Sequence, residues 1–432
     1  MNLDEIDGTI LDSLWKGMPL GAPPFRLGDI GRFGWNLLRG DLPMPAAVLK
    51  ESVLTHNSGW MRRFLALSGA VIAPHGKTTM SPQLFARQLA DGAWGITLGT
   101  VHQVAVARRF GVPRILLANQ IVDPVGLAWL MAELRRDPAF DFYCLVDSVE
   151  GARRIAEAAR VHSPGRPVQL LLEGGYRGGR TGCRTVEQAI AVAEVVKAAS
   201  PALILRGIEG FEGIPPGADE AEREANVEEF LRLLLAIARA CEAGDLFAPG
   251  PVILSAGGSA YYDMVVDVLG AGALNRETVL VLRSGCYLTH DSGTYRAAFR
   301  RILERSPETR DLGPGLRPAL EIWASVQSRP EPTRAILSFG KRDASYDSGL
   351  PKPLWRYAGR SQDAPVPIGP GHAVVAMNDQ HAYLDLPADS PLAVGDLVGL
   401  GISHPCLTFD KWQILPVVDD SYTVRSAVRT YF

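Results

Sequence analysis

Lys77 stands in Pro74-His75-Gly76-Lys77-Thr78-Thr79, directly after the apolar run Ala70-Val71-Ile72-Ala73. Such a run, stopped by Pro-His-Gly, reads as a short buried strand, with the lysine amine at its carboxyl end. An amine there, beside an imidazole and a glycine, suits Schiff-base chemistry with an aldehyde cofactor, pyridoxal phosphate (PLP). Most lysines are solvated surface charges, so the catalytic assignment of Lys77 depends on what else the chain supplies.

Three further segments carry chemistry. Glu173-Gly174-Gly175-Tyr176-Arg177-Gly178-Gly179-Arg180-Thr181-Gly182 combines glycines for close ligand approach with arginines that meet anions, Arg180 among them. Ser255-Ala256-Gly257-Gly258-Ser259 precedes a helix, and Arg283-Ser284-Gly285-Cys286-Tyr287 closes a later apolar run. Glycine-rich turns that open a helix present backbone N–H groups and a positive dipole end, a setting for phosphate. The expected cofactor set is therefore His75, Lys77, Arg180, Gly257, Gly258, Ser259, Ser284, Gly285 and Tyr287, with plain tight turns as the competing reading. In Ser403-His404-Pro405-Cys406, residues two apart on an extended strand would face one way, so His404 and Cys406 can share a divalent metal, zinc by donor type. Two protein ligands leave a tetrahedral site open to substrate; a buried pair without metal is the alternative. Asn378-Asp379-Gln380-His381 is either a second polar cluster or a solvated turn.

The elements needed to position these residues are legible as alternation. Strand candidates run over Val71–Pro74, Trp94–Leu98, Arg114–Asn119, Phe142–Asp147, Val168–Glu173, Leu203–Phe211, Val252–Ala256 and Val279–Arg283. Amphipathic stretches such as Pro82–Asp91, Val101–Phe110, Val125–Arg136, Val149–Arg160, Val186–Ala199 and Ala221–Ala243 lie between them. Strand-helix alternation of this length predicts an α/β fold, a (β/α)8 TIM barrel, with a doubly wound open sheet as the alternative. In a barrel the segments at Lys77, Glu173–Gly182, Ser255–Ser259 and Arg283–Tyr287 fall at the carboxyl ends of strands, where barrels hold their chemistry.

Beyond Asp291 helical periodicity fades and Pro and Gly become dense, and the remaining runs read as strands of a mostly β domain. The expected division is an extension at 1–44 that either caps the barrel or joins the β domain, a barrel at 45–294 and a β domain at 295–432. Leu37–Val48 is a candidate extra strand for the latter. Composition is that of a soluble globular protein: 47% apolar, 21% charged, net charge −3. That charge offers no attraction to nucleic acid or anionic membrane. Five cysteines, odd in number and far apart, argue against a disulfide framework. The acidic start lacks signal-peptide features, and no apolar stretch spans a bilayer, so the expected location is cytoplasmic.

Pro74-His75-Gly76-Lys77-Thr78, Arg180-Thr181-Gly182, Gly257-Gly258-Ser259, Gly285-Cys286-Tyr287 and His404-Pro405-Cys406, in that order, resemble the D-serine dehydratase and D-threonine aldolase family. Met44–Leu49 and Gly340-Lys341-Arg342-Asp343 also look like that family, so the resemblance runs from about Pro43 to near Trp412. The resemblance implies an alanine-racemase-like, fold-type III PLP enzyme and a homodimer. It implies that Lys77 carries the cofactor and removes the substrate α proton, that the Gly257 and Ser284 loops hold phosphate, and that Arg180 lines cofactor or carboxylate. His404 and Cys406 would hold a divalent metal, zinc in the dehydratase-like members, that polarises a β-hydroxyl. The implied activity is β-elimination of a D-3-hydroxy amino acid to a 2-oxo acid and ammonia. Retro-aldol cleavage to glycine and an aldehyde, racemisation, and non-catalytic PLP binding are the alternatives. Thr79-Met80, the Gly-Gly-Ser-Ala turn and Asp379-Gln380-His381 depart from the family pattern and leave the substrate open. Cys406 favours dehydratase over aldolase, whose second ligand is typically aspartate.

Overall fold

The computed structural model describes residues 1–213, 216–359 and 362–432. Its backbone contacts divide the chain into two compact units, one of residues 62–77 and 88–285 and one of residues 1–61, 78–87 and 286–432. Strands β1 (Ile10–Leu11) and β2 (Phe25–Arg26) form an antiparallel pair, and β3 (Ala46–Lys50) follows.

The first of these units holds β4 (Val71–Ile72), β5 (Ile96–Leu98), β6 (Arg114–Gln120), β7 (Asp141–Val146), β8 (Val168–Gly174), β9 (Leu203–Gly210), β10 (Val252–Ala256) and β11 (Thr278–Leu282). All pair in parallel in sequence order, and β11 returns to β4. The ring closes between β4 and β5: Trp94 N–H donates to Ile72 O at 2.7 Å, Thr97 N–H donates to Pro74 O at 2.9 Å, and His75 bridges Thr97. Closure excludes the open-sheet alternative. All eight strands appear where the apolar runs put them, with ends displaced by a residue or two.

Side chains with the capacity to cap start the intervening helices. Thr100, Asp123, Ser148, Thr185 and Asp219 each accept a backbone N–H of the helix they precede, which settles otherwise orphaned donors. Inside the ring Ala73, Leu116, Tyr143, Leu145, Leu171, Ile253 and Val281 form a buried core. Strand alternation then places His75, Glu173, Ser255 and Arg283, each two residues beyond a core member, in the next layer toward the carboxyl ends.

In the other unit β3 lies between β12 (Leu320–Glu331), antiparallel, and β19 (Ile414–Val418), parallel. The sheet continues through β13 (Arg334–Leu337), β14 (Lys352–Tyr357), β15 (Val366–Pro367), β16 (Ala373–Met377), β17 (Ala382–Asp385), β18 (Leu397–Gly401) and β20 (Val424–Arg429). Trp323, Phe339, Phe409 and Trp412 fill its core. Helical structure does not end at Asp291: Thr294–Arg305 is a helix that buries Ala298, Phe299 and Ile302. Helix Glu51–Ser68 and strands β14 and β15 are also additions to what the sequence predicted. Among the described residues no helix is long and apolar enough to cross a membrane.

Candidate active site

Lys77 sits in a single 3-10 turn, Gly76–Thr78, just after the barrel's first strand. Gly99, at the end of β5, lies beneath it: a Cβ there would stand 3.9 Å from Lys77 Cδ and 3.9 Å from His75 Cε1. Burial holds the His75 imidazole well below its ordinary pKa, and the charges of Lys77, Arg283 and Arg180 push the same way, so the ring is neutral. Its Nδ1 is buried with no hydrogen-bond partner.

The turn after β10 is gripped from two sides. Gly257, at φ +88°, and Gly258 donate their N–H groups to the two carboxylate oxygens of Glu212 at 3.0 and 2.6 Å. Ser284 Oγ lies 3.0 and 2.9 Å from the carbonyl oxygens of Gly257 and Gly258, and Arg283 N–H donates to Gly257 O at 3.1 Å. The two N–H groups that the sequence offers to a phosphate are therefore directed at Glu212. Ser259 comes next in the turn, ahead of helix Tyr262–Leu269, and Gly285 is buried at the end of the loop after β11.

Acidic groups dominate this end of the barrel. Glu173 accepts from Thr181 Oγ1 at 2.7 Å and from Gln120 Nε2. Glu209 pairs with Arg283 at 2.5 Å, and Arg283 also donates to Gly210 O at 2.6 Å. Burial raises all three carboxyls, Glu209 to about 8 even against the Arg283 charge. Arg180 stacks its guanidinium on Phe211 with 4.8 Å to the ring centroid.

The other unit gathers Thr78, Cys286, Tyr295, Asp347, His404 and Cys406. Cys406 Sγ is 3.4 Å from Thr78 Oγ1 and 4.0 Å from Cys286 Sγ, and Cys286 Sγ is 3.8 Å from Thr78 Oγ1. His404 and Cys406 do not face alike on a strand as the spacing predicted. β18 ends at Gly401, and Pro405, with φ −60° and ψ −44°, turns the chain into the one-turn helix Cys406–Phe409. The two side chains still meet. His404 Nδ1 is 2.6 Å from Asp347 Oδ2, so the hydrogen bond between His404 and Cys406 falls to Nε2. Hydrogen bonds from Cys286, His404 and Thr78 hold the Cys406 thiol well below its ordinary pKa despite burial, while Cys286 is pushed up. Cys406 is the thiolate of the pair. That thiolate and then Asp347 raise His404 to about 9.

A thiolate facing an imidazole whose far nitrogen is anchored by a carboxylate is the donor arrangement of a zinc-type ligand pair. Among the described residues no group of three or more His, Cys, Asp or Glu side chains is arranged to hold a metal. A cation bound by His404 and Cys406 would thus keep open coordination positions. Tyr287, expected beside a cofactor, is buried, 3% exposed. Asn378–His381 is an exposed turn between β16 and β17, the solvated alternative of the two expected. Sequence reasoning missed Asp347, Thr78, Glu209 and Glu212. Asp347 had no signal at all, because only folding brings it to His404; Glu209 and Glu212 stood at the end of β9, where inward acids are informative.

The family described as "Alanine racemase, N-terminal domain" matches residues 50–264, and "Putative serine dehydratase domain" matches 319–418. A D-threonine aldolase from Arthrobacter sp. is 24% identical over 407 residues, 94% of each chain. A 3-hydroxy-D-aspartate aldolase from Paracoccus denitrificans is 27% identical over 72% of this chain and 75% of its own. Among solved structures, D-threo-3-hydroxyaspartate dehydratase from Delftia sp. HT23 superposes with a TM-score of 0.71 at 22% identity, over 92% of this chain and 99% of that one. A cysteine-to-alanine variant of a D-threo-3-hydroxyaspartate dehydratase has been solved in a metal-free form. With the closed barrel and the antiparallel sheet, these matches establish that the chain belongs to the alanine-racemase-like, fold-type III family of D-serine dehydratases and D-threonine aldolases.

Proposed function

We propose that this chain is a PLP- and divalent-metal-dependent lyase of the D-serine dehydratase type, converting a D-3-hydroxy amino acid to a 2-oxo acid and ammonia. The observation that carries the dehydratase reading is the Cys406 thiolate facing His404, with Asp347 behind the ring. A soft thiolate with an imidazole selects zinc, and a cysteine is the residue exchanged in the metal-free variant of a D-threo-3-hydroxyaspartate dehydratase.

Bound PLP supplies an electron sink for the substrate α carbon. Lys77 would hold it through its amine and, once released, take the α proton at Nζ. Neutral His75 next to Lys77 adds no competing positive charge. Glu212 and Ser284 fix the Gly257-Gly258 turn through its N–H and its carbonyl groups, and Ser259 with the following helix start would meet the phosphate. The Arg180 guanidinium, stacked on Phe211, would meet the phenolate oxygen or a carboxylate. His404 and Cys406 would hold the cation that polarises the departing β-hydroxyl. The eight-stranded barrel would thus carry the cofactor and the unit of the antiparallel sheet, which takes residues 46–50 as β3 in place of the expected barrel start at 45, the metal, and a homodimer is the proposed assembly.

Retro-aldol cleavage is the second reading, favoured by the match to D-threonine aldolase along 94% of the chain. Incubation of the protein with PLP, zinc and D-serine, D-threonine or D-3-hydroxyaspartate separates the two. Oxo acid and ammonia, lost with a chelator, are expected; glycine and an aldehyde would replace the dehydratase by the aldolase.

A further inference from the structure

Three carboxylates and one guanidinium are buried together at the barrel's carboxyl end. Glu173, Glu209 and Glu212 are 7, 1 and 0% exposed, and Arg283 is 5% exposed. Glu173 and Glu212 have both oxygens engaged, by Thr181 and Gln120 and by the two glycine N–H groups. Glu209 does not: Oε1 takes Arg283, and Oε2 is buried without a hydrogen-bond partner. An unsatisfied buried carboxylate oxygen costs more than almost any other orphaned group and calls for a missing partner. Burial raises Glu209 to about 8, so near neutral pH the group without a partner holds a proton, and the partner it lacks is a base that can take that proton over; Oε2 then accepts from a cation, which suits a cluster of three acids and one buried base.

Resting on the PLP reading above, we propose that Glu209 Oε2 is the partner of the cofactor's pyridine nitrogen and keeps that nitrogen protonated. Arg283 holds Oε1 while its own position is fixed by Gly210 O, so the free oxygen is aimed by the end of β9 itself. A pyridinium N–H satisfies Oε2, brings a second positive charge among the three acids, and strengthens the electron sink that the α carbon needs. The proton that Glu209 holds in the cofactor-free protein is the one the nitrogen takes up, and the pyridinium charge then joins that of Arg283 in favouring the Glu209 carboxylate against burial. Arg283 Nε is also buried without a partner and is the rival. With Arg283 as donor the pyridine would stay unprotonated, and the acids would gain no cation.

The test is 15N NMR of the protein reconstituted with PLP labelled at the pyridine nitrogen, in wild type and Glu209→Gln. The wild-type resonance is expected at the protonated position, and in Glu209→Gln it is expected to move to that of unprotonated pyridine. A wild-type resonance at the unprotonated position, or one unmoved by Glu209→Gln, overturns the assignment in favour of Arg283. The wild-type spectrum decides even if the variant does not fold. Wild-type protein that takes up no PLP would overturn the PLP reading and this assignment together, whereas a bound but unprotonated cofactor overturns this assignment alone.

Discussion

His404 Nδ1 lies 2.6 Å from Asp347 Oδ2, across 57 residues of chain. The carboxylate fixes which nitrogen faces Cys406 and makes the imidazole a better donor, the usual role of an acid behind a metal-binding histidine.

Asp347→Asn should therefore lower zinc affinity by roughly 10- to 100-fold without changing the ligands themselves. Competition with a coloured chelator measures it. Because His404 is protonated up to about 9 in the metal-free protein, a proton must leave before the ring can coordinate. Apparent affinity should rise with pH, by about tenfold per unit from this proton, and level off above that value. A flat pH dependence would mean that His404 is not a ligand.

Glu212→Ala removes the acceptor for two N–H groups of the Gly257-Gly258 turn, which is proposed to lead into the phosphate site. Charge-assisted hydrogen bonds contribute about 1.5–3 kcal/mol each, so loss of the grip should weaken PLP binding by roughly one to two orders of magnitude. Titration of the cofactor's visible absorbance reads it; unchanged affinity would show that the turn holds its shape unaided.

Glu209 makes the cofactor-free protein pH-sensitive. Its folded pKa, about 8, is above the ordinary 4.5, so between those values the folded state binds the extra proton. Stability is thus full below 4.5 and falls as pH rises toward 8, with a slope of at most about 1.4 kcal/mol per pH unit. Thermal melts of apoprotein should show that fall in wild type and lose it in Glu209→Gln.

Gly207→Ala should be disabling. A Cβ on Gly207 would stand 1.8 Å from Ile253 O, where β9 and β10 are hydrogen-bonded neighbours. Backbone must move to admit it, at a cost of about 3 kcal/mol or more, seen as a lowered midpoint in denaturant or insoluble expression.

The barrel was legible because each strand is a short apolar run and the helices between carry capping residues such as Asp123 and Ser148. Lys352–Tyr357 was missed because Lys352, Pro353 and Arg356 break any alternation; its pairing with β18 supplies what its sequence lacks. Glu51–Ser68 carries Thr55, Asn57, Ser58 and Gly59, weak helix formers, yet is held by buried Leu54, Trp60, Met61 and Phe64. Lys77, His404 and Cys406 were singled out by residue type and by the motifs around them, although the strand spacing expected to align His404 and Cys406 did not hold, since Pro405 turns the chain into a helix. The groups that orient them were not, since Asp347 reaches His404, and Thr78 reaches Cys406 across 328 residues, only through tertiary structure.

In the proposed function Lys77 carries the cofactor. Borohydride reduction of PLP-loaded protein, followed by peptide mass mapping, tests it directly. A phosphopyridoxyl mass on the peptide containing Lys77, absent in Lys77→Ala, is the predicted result; a reduced adduct on another lysine, or none in protein that has bound PLP, would contradict it.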